Sequence, residues 1–166
     1  SIIVLDSYSD WTFMVYINAD NNLEDAGIED VNEMETVGST EDVNILVQLD
    51  RSSGYSNADG NWSGSRRYRV TQDNDFNHIG SEVLADLGSV DSGDYSTIVD
   101  FVAWGEENYP AERYGLVLWD HGWSWYISPE ESVLTKGISD DEETGNSISV
   151  AEGDLEEMLR DVTEIT

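Results

Sequence analysis

The sequence predicts an α/β fold with a mostly parallel sheet that looks unfinished at its C-terminal end. Three apolar runs carry the prediction, at residues 11–17, 43–49 and 114–119. None alternates apolar with polar residues, so each reads as a strand buried on both faces, the habit of parallel sheets. Helical spacing separates them. Leu23, Gly27, Val31 and Met34 share one helix face, as do Ile98, Phe101, Val102 and Gly105. A strand, a helix and a strand in succession imply a right-handed crossover and parallel pairing.

The remaining segments are placed around that frame. Asn22 is positioned to cap the first helix, which Gly38 and Ser39 end. Residues 52–65 are rich in Gly, Ser and Asn and read as a loop. Residues 66–71 form a short strand at an edge or in a hairpin, where Arg66, Arg67 and Arg69 act as an edge-strand charge device rather than a binding patch. Residues 72–95 carry turn signals with little periodicity. Pro110 ends the second helix. Residues 123–147 read as an acidic loop, including the solvated stretch Asp140, Asp141, Glu142 and Glu143. Ser149 and Glu152 then suggest a capping box before a third helix that carries Leu155, Met158, Leu159 and Val162. No repeat or linker divides the chain. Residues 1–166 are read as the N-terminal portion of a single domain, because the chain stops where another strand is due.

Composition narrows the function. The 166 residues hold 36 Asp and Glu against seven Lys and Arg, a formal net charge of −29. Such a surface repels phosphate backbones and anionic lipid, so neither nucleic acid nor membrane is expected as a partner. It favours basic peptides and divalent cations. A lysine-poor, carboxylate-rich surface also suits high salt, and the spread of acids along the chain fits that reading equally. There is no cysteine, hence no disulfide and no thiol nucleophile within these residues. No run of about 18 apolar residues is present to span a bilayer. The start lacks Met and a basic flank, which suggests a mature, trimmed or fragmentary chain.

Chemistry in parallel sheets gathers beyond the carboxyl ends of the strands. The three strands here run into Asp20 and Asn21, into Asp50, and into Asp120, His121 and Gly122. His121 is one of two histidines, and its place before a glycine suits acid–base work in a cleft. A hydrogen-bonded structural histidine is the alternative. Asp20, Asp50 and Asp120 offer hard oxygens to a divalent cation, although capping helices and turns is the routine use of such aspartates. His78 lies in a loop with no such setting.

Residues 11–24, 47–51, 101–105 with 108–111, 116–122, 136–141 and the helix from Ser149 form an ordered set of motifs. Taken in that order, they resemble the clostripain family of cysteine peptidases. The resemblance implies a caspase-like three-layer sandwich, and cleavage of peptide or protein substrates after Arg or Lys. His121 would be the general acid/base, and the Gly122 N–H would help hold the oxyanion. The nucleophilic cysteine would close the next strand, past Thr166. Asp20 and Asn21 would line the substrate cleft. Lys136, followed by Gly137, would be a self-cleavage site. No cofactor is needed for that chemistry, although calcium dependence occurs in the family, so Ca2+ has a place in it. The resemblance favours a secreted or cell-envelope location, and the chain is expected to act as a monomer. Two other readings remain at this point: a noncatalytic acidic domain that binds basic peptides, and a metal-dependent hydrolase built on Asp20 and Asp50.

Overall fold

The computed structural model of the protein describes residues 8–122, 137–150 and 152–165. Its elements in chain order are β1 (Ser9–Ala19), α1 (Glu24–Glu35), β2 (Val43–Arg51), β3 (Gly64–Arg69), β4 (Val83–Gly88), α2 (Tyr95–Asn108), β5 (Ala111–Trp119), β6 (Gly137–Asp141), β7 (Asn146–Ser149) and α3 (Asp154–Ile165). Five strands make one sheet in the order β4-β3-β2-β1-β5. β1 pairs in parallel with β2 on one side and with β5 on the other. β3 and β4 extend the sheet antiparallel beyond β2. β6 and β7 form a separate hairpin.

Strand β1 is central because both its faces are apolar. Met14 and Tyr16 point into a core with Leu46, Ile98, Phe101 and Met158, under α2 and α3. Ile17 and Ala19 point the other way, into a core with Val31, Val47 and Leu49 under α1. The period-two alternation of a strand thus feeds two hydrophobic layers, and the result is a three-layer sandwich. Gly105 lets α2 sit close: a Cβ there would stand 2.5 Å from Met14 Sδ.

Several local expectations change. β4 falls in the segment read as turns. Its residues are mostly exposed, Val83, Leu84 and Leu87 among them, so no alternation of a buried and a polar face marks it as a strand. β6 and β7 fall in the segment read as a loop, and Asp141 is buried there rather than solvated. β3 lies inside β4, so it is not an edge. Arg67 is buried under α2, donating from Nε to Gln48 Oε1 at 2.8 Å and pairing with Asp100 at 2.7 Å. Arg66 pairs with Asp86 and lies over the Trp62 ring at 4.1 Å. The arginines of β3 are therefore tied into the protein and are not an edge device. Asn22 does not cap α1. That turn is closed by Asn21, whose Oδ1 accepts from Leu23 N at 2.8 Å. Ser149 Oγ accepts from Glu152 N at 3.0 Å, while its own N–H donates to Asp154 rather than to Glu152, so α3 starts at Asp154, four residues later than a capping box would place it.

Candidate active site

The strand order puts a crevice between β1 and β5. From β1 the chain moves outward through β2, β3 and β4, then returns to β5 on the opposite side of β1. Two right-handed crossovers leaving in opposite directions set α1 and α2 on opposite faces, and the loops that follow β1 and β5 diverge. The registers align the strand ends: Ile17 lies beside Trp119, and Ala19 beside Arg51. Asp20, Asn21 and Asn22 therefore meet Asp120, His121 and Gly122 at one edge.

Two successive contacts bridge the crevice. Asn21 Nδ2 donates to Asp120 Oδ1 at 2.8 Å and to the Asp140 carbonyl at 3.0 Å. One residue on, Asn22 Oδ1 lies 2.9 Å from His121 Nε2. An amide oxygen only accepts, so Nε2 carries the hydrogen of this contact. No local sign of this partner is legible in the sequence, because the two residues are 99 positions apart. Asp120 also accepts the Asp140 N–H at 2.5 Å, which fixes the hairpin to the end of β5. Burial raises the pKa of Asp120, and the donors from His121, Asn21 and Asp140 pull it back.

Beside His121 lies a pocket of ≈ 100 Å³, lined by Tyr16, Ile98, Leu118, Gly122, Ile138 and Ser139 among others. Gly122 pairs with Ile138 in an isolated antiparallel bridge, and among the described residues nothing within 4 Å would meet a Cβ on it. Backbone and ring thus border the same open space. Asp20 and Asn21 are each only 1 % exposed, and Asn21 clamps the end of β1 to Asp120 and to the Asp140 carbonyl. Lys136 lies outside the described residues. His78 is 69 % exposed and stands 3.9 Å from Asp59.

A second feature sits at the same edge. Asp20, Asp50 and Asp141 bring carboxylate oxygens within 4.8 Å of one another, and all three are buried. The sequence pointed to Asp20 and Asp50 but paired them with Asp120. Asp141 takes the third place, and Asp120 is used in the Asn21 and Asp140 contacts. Burial, and then the carboxylates of Asp20 and Asp141, push Asp50 up to about 7 against the pull of the Ser92 hydroxyl. Burial and the Asp141 carboxylate push Asp20 up to about 6, opposed by the Ser52 side chain.

A parallel α/β sandwich with a histidine at its switch point and a hairpin closing the same edge is the caspase-like arrangement. The chain belongs to the clostripain family: the model of that peptidase family, C11, matches residues 15–166. Clostripain from Hathewaya histolytica is 27% identical over 121 residues, which cover 67% of this chain and 23% of clostripain. A B. fragilis cysteine protease superposes with a TM-score of 0.53 at 28% identity, covering 74% of this chain and 98% of that one. A secreted C11 cysteine protease from Bacteroides thetaiotaomicron, solved with an irreversible peptide inhibitor, gives a TM-score of 0.65 at 28% identity. That match covers 93% of this chain and 40% of the other. The chain therefore spans less than a quarter of the length of clostripain. Among the described residues, no helix is long and apolar enough to cross a membrane.

Proposed function

We propose that this chain supplies the histidine side of a cysteine-peptidase centre that hydrolyses peptide bonds after Arg or Lys. The observation that carries the proposal is the Asn22–His121 contact at the β1–β5 crevice, beside an open pocket. In this reading a cysteine thiolate, carried by sequence following residue 166, attacks the scissile carbonyl. His121 takes the thiol proton and delivers it to the departing amine. Asn22 keeps Nε2 protonated, so Nδ1 is the nitrogen that exchanges the proton. The Gly122 N–H contributes to the oxyanion site. Asp20 and Asn21 shape the cleft from behind, with Asn21 holding the β1 and β5 ends together.

The basic-residue preference rests on the net charge of −29, which draws cationic peptides, and on the family relationship. Cleavage after Lys136, just ahead of β6, is proposed as a processing step. The enzyme is proposed to act as a monomer, outside the cell or at its envelope. The secreted relative supports that location.

The test is a peptidase assay on the complete gene product containing this chain. Reporter peptides ending in Arg, Lys or a neutral residue are compared, with and without a thiol alkylator. Alkylation and His121→Ala should each lower kcat/KM by at least about 10²-fold, in the range for loss of a positioned acid–base group. Turnover that survives alkylation rejects the thiol mechanism. Binding of basic peptides without hydrolysis would make the chain an acidic recognition domain instead. Lys136→Ala should abolish the corresponding cut on a denaturing gel.

A further inference from the structure

Asp20, Asp50 and Asp141 arrive from the ends of β1 and β2 and from β6, and they are 1 %, 3 % and 2 % exposed. Three carboxylates this close in a poorly solvated place need compensation. The chain provides some. Ser92 Oγ donates to Asp50 Oδ2 at 2.5 Å, Ser92 N to Asp141 Oδ2 at 2.9 Å, and Thr144 N to Asp141 Oδ1 at 2.8 Å. All of these donors are neutral. Among the described residues, the arginine ion pairs engage Glu24, Asp86, Asp100 and Glu156, and none reaches the cluster. Asp20 has the Ser52 side chain beside it, but among the described residues its Oδ1 is buried and meets no hydrogen-bond donor. A buried carboxylate oxygen left without a donor is costly, and such a group calls for a bound water or ion.

We propose that Asp20, Asp50 and Asp141 form a site for Ca2+ that pins the β6–β7 hairpin to the carboxyl edge of the sheet. The donors are all hard oxygens, with no histidine or thiolate among them, which selects alkaline-earth cations over zinc or copper. Oxygens on a Ca2+ shell of about 2.3–2.6 Å radius lie at most about 5 Å apart, and the oxygens here fall within that span, at 4.8 Å or less. Ca2+ also accepts a flexible shell of protein oxygens, whereas Mg2+ keeps several of its waters and suits a buried, all-protein cage less well. The exposed turn residues Glu142 and Glu143 keep the approach anionic. The role is positional. None of the three aspartates lines the pocket beside His121, but Ile138 and Ser139 of the same hairpin do. A cation at the cluster would fix that wall of the pocket from behind. The inference does not depend on the peptidase reading, since it concerns binding and not turnover.

The experiment uses the complete gene product, stripped with a chelator and then titrated with Ca2+ alone. Calorimetry counts the bound ions, and a thermal melt follows stability. Asp50→Asn keeps the shape and the acceptor for Ser92 while removing a charged ligand. It should bind one equivalent of Ca2+ fewer than the parent, or bind that equivalent at least tenfold more weakly, and lose the matching rise in Tm. Asp20→Asn should do the same. Each should also melt no lower than the parent in the stripped state, because one buried charge is gone. Glu41→Gln, an exposed change elsewhere, should bind as the parent does. Equal stoichiometry and equal Ca2+-induced Tm shifts in the parent and both aspartate variants would overturn the proposal. So would a stripped parent that gains stability only on acidification and binds no Ca2+, since shared protons would then hold the cluster.

Discussion

Removing the carboxylate of Glu24 should destabilise the protein more than any exposed substitution, and the structure allows the size of the effect to be worked out. Glu24 and Arg51 are both 0% exposed and pair at 2.8 Å through Glu24 Oε1 and Arg51 Nε. Glu24 Oε2 also accepts the Ser56 N–H at 2.7 Å. The guanidinium keeps two other supports, the Ala58 carbonyl at 3.1 Å and the Trp62 ring at 4.5 Å. Glu24→Ala removes the only anion paired with it among the described residues and orphans the Ser56 donor. Breaking a buried pair from one side costs about 3–5 kcal/mol, a range that already includes most of the exposed donor's penalty. With a urea m value of about 2 kcal/mol/M, a loss of ~4 kcal/mol moves the midpoint down by about 2 M. The assay is equilibrium unfolding of the parent, Glu24→Ala, Arg51→Met and the double variant Glu24→Leu/Arg51→Met. The double variant should recover most of the loss, because it buries apolar groups in place of a stranded charge. A Glu24→Ala loss below about 1 kcal/mol, or a double variant no better than the singles, would refute the argument. The pair also joins the first turn of α1 to the end of β2, so it holds the segment that presents Asn21 and Asn22.

Asn22→Ala should lower kcat about 10- to 100-fold with little change in KM, as expected for the loss of one hydrogen bond to a group that becomes charged. Asn22→Asp should move the limb of the pH–rate profile governed by the imidazole to higher pH, since a carboxylate beside it favours the protonated ring. An unmoved profile would show that Asn22 only packs. For the Arg67–Asp100 pair the two partners should differ. Asp100 has a side chain 75% exposed, so Asp100→Ala should cost under about 1 kcal/mol. Arg67→Ala, which also loses Gln48 and the Phe101 and Trp104 rings, should cost about 2–4 kcal/mol in urea unfolding. Gly93→Ala would bring a Cβ to 2.4 Å from the Asn146 carbonyl carbon. It should push β7 away from the Ser92 loop, lower Tm and weaken Ca2+ binding, as read by thermal melts with and without Ca2+.

The sequence by itself determined the frame of this protein. The runs that became β1, β2 and β5 are apolar at consecutive positions because both faces of the strand are covered, and that signal is local. The helical faces of α1 and α2 were equally legible, since Val31 and Phe101 recur with the helical period. Reading ligands at the carboxyl ends of parallel strands also located Asp20, Asp50 and His121 at one edge. What only the tertiary structure decided depends on residues that meet through space. β4 is short and exposes its apolar side chains, the β6–β7 hairpin is short and polar, and the strand form of both comes from backbone pairing rather than from a buried apolar face. Arg67 looked like a surface charge until α2 covered it. Asn22 looked like a cap, and its partner lies across the crevice. Asp141 sat in an acidic stretch that resembled a solvated loop, and the hairpin turned it inward beside two buried carboxylates. Hydrophobic periodicity reports which face of an element is buried. It carries no record of which polar groups from distant segments will share that burial, and the chemistry at this edge rests on that sharing.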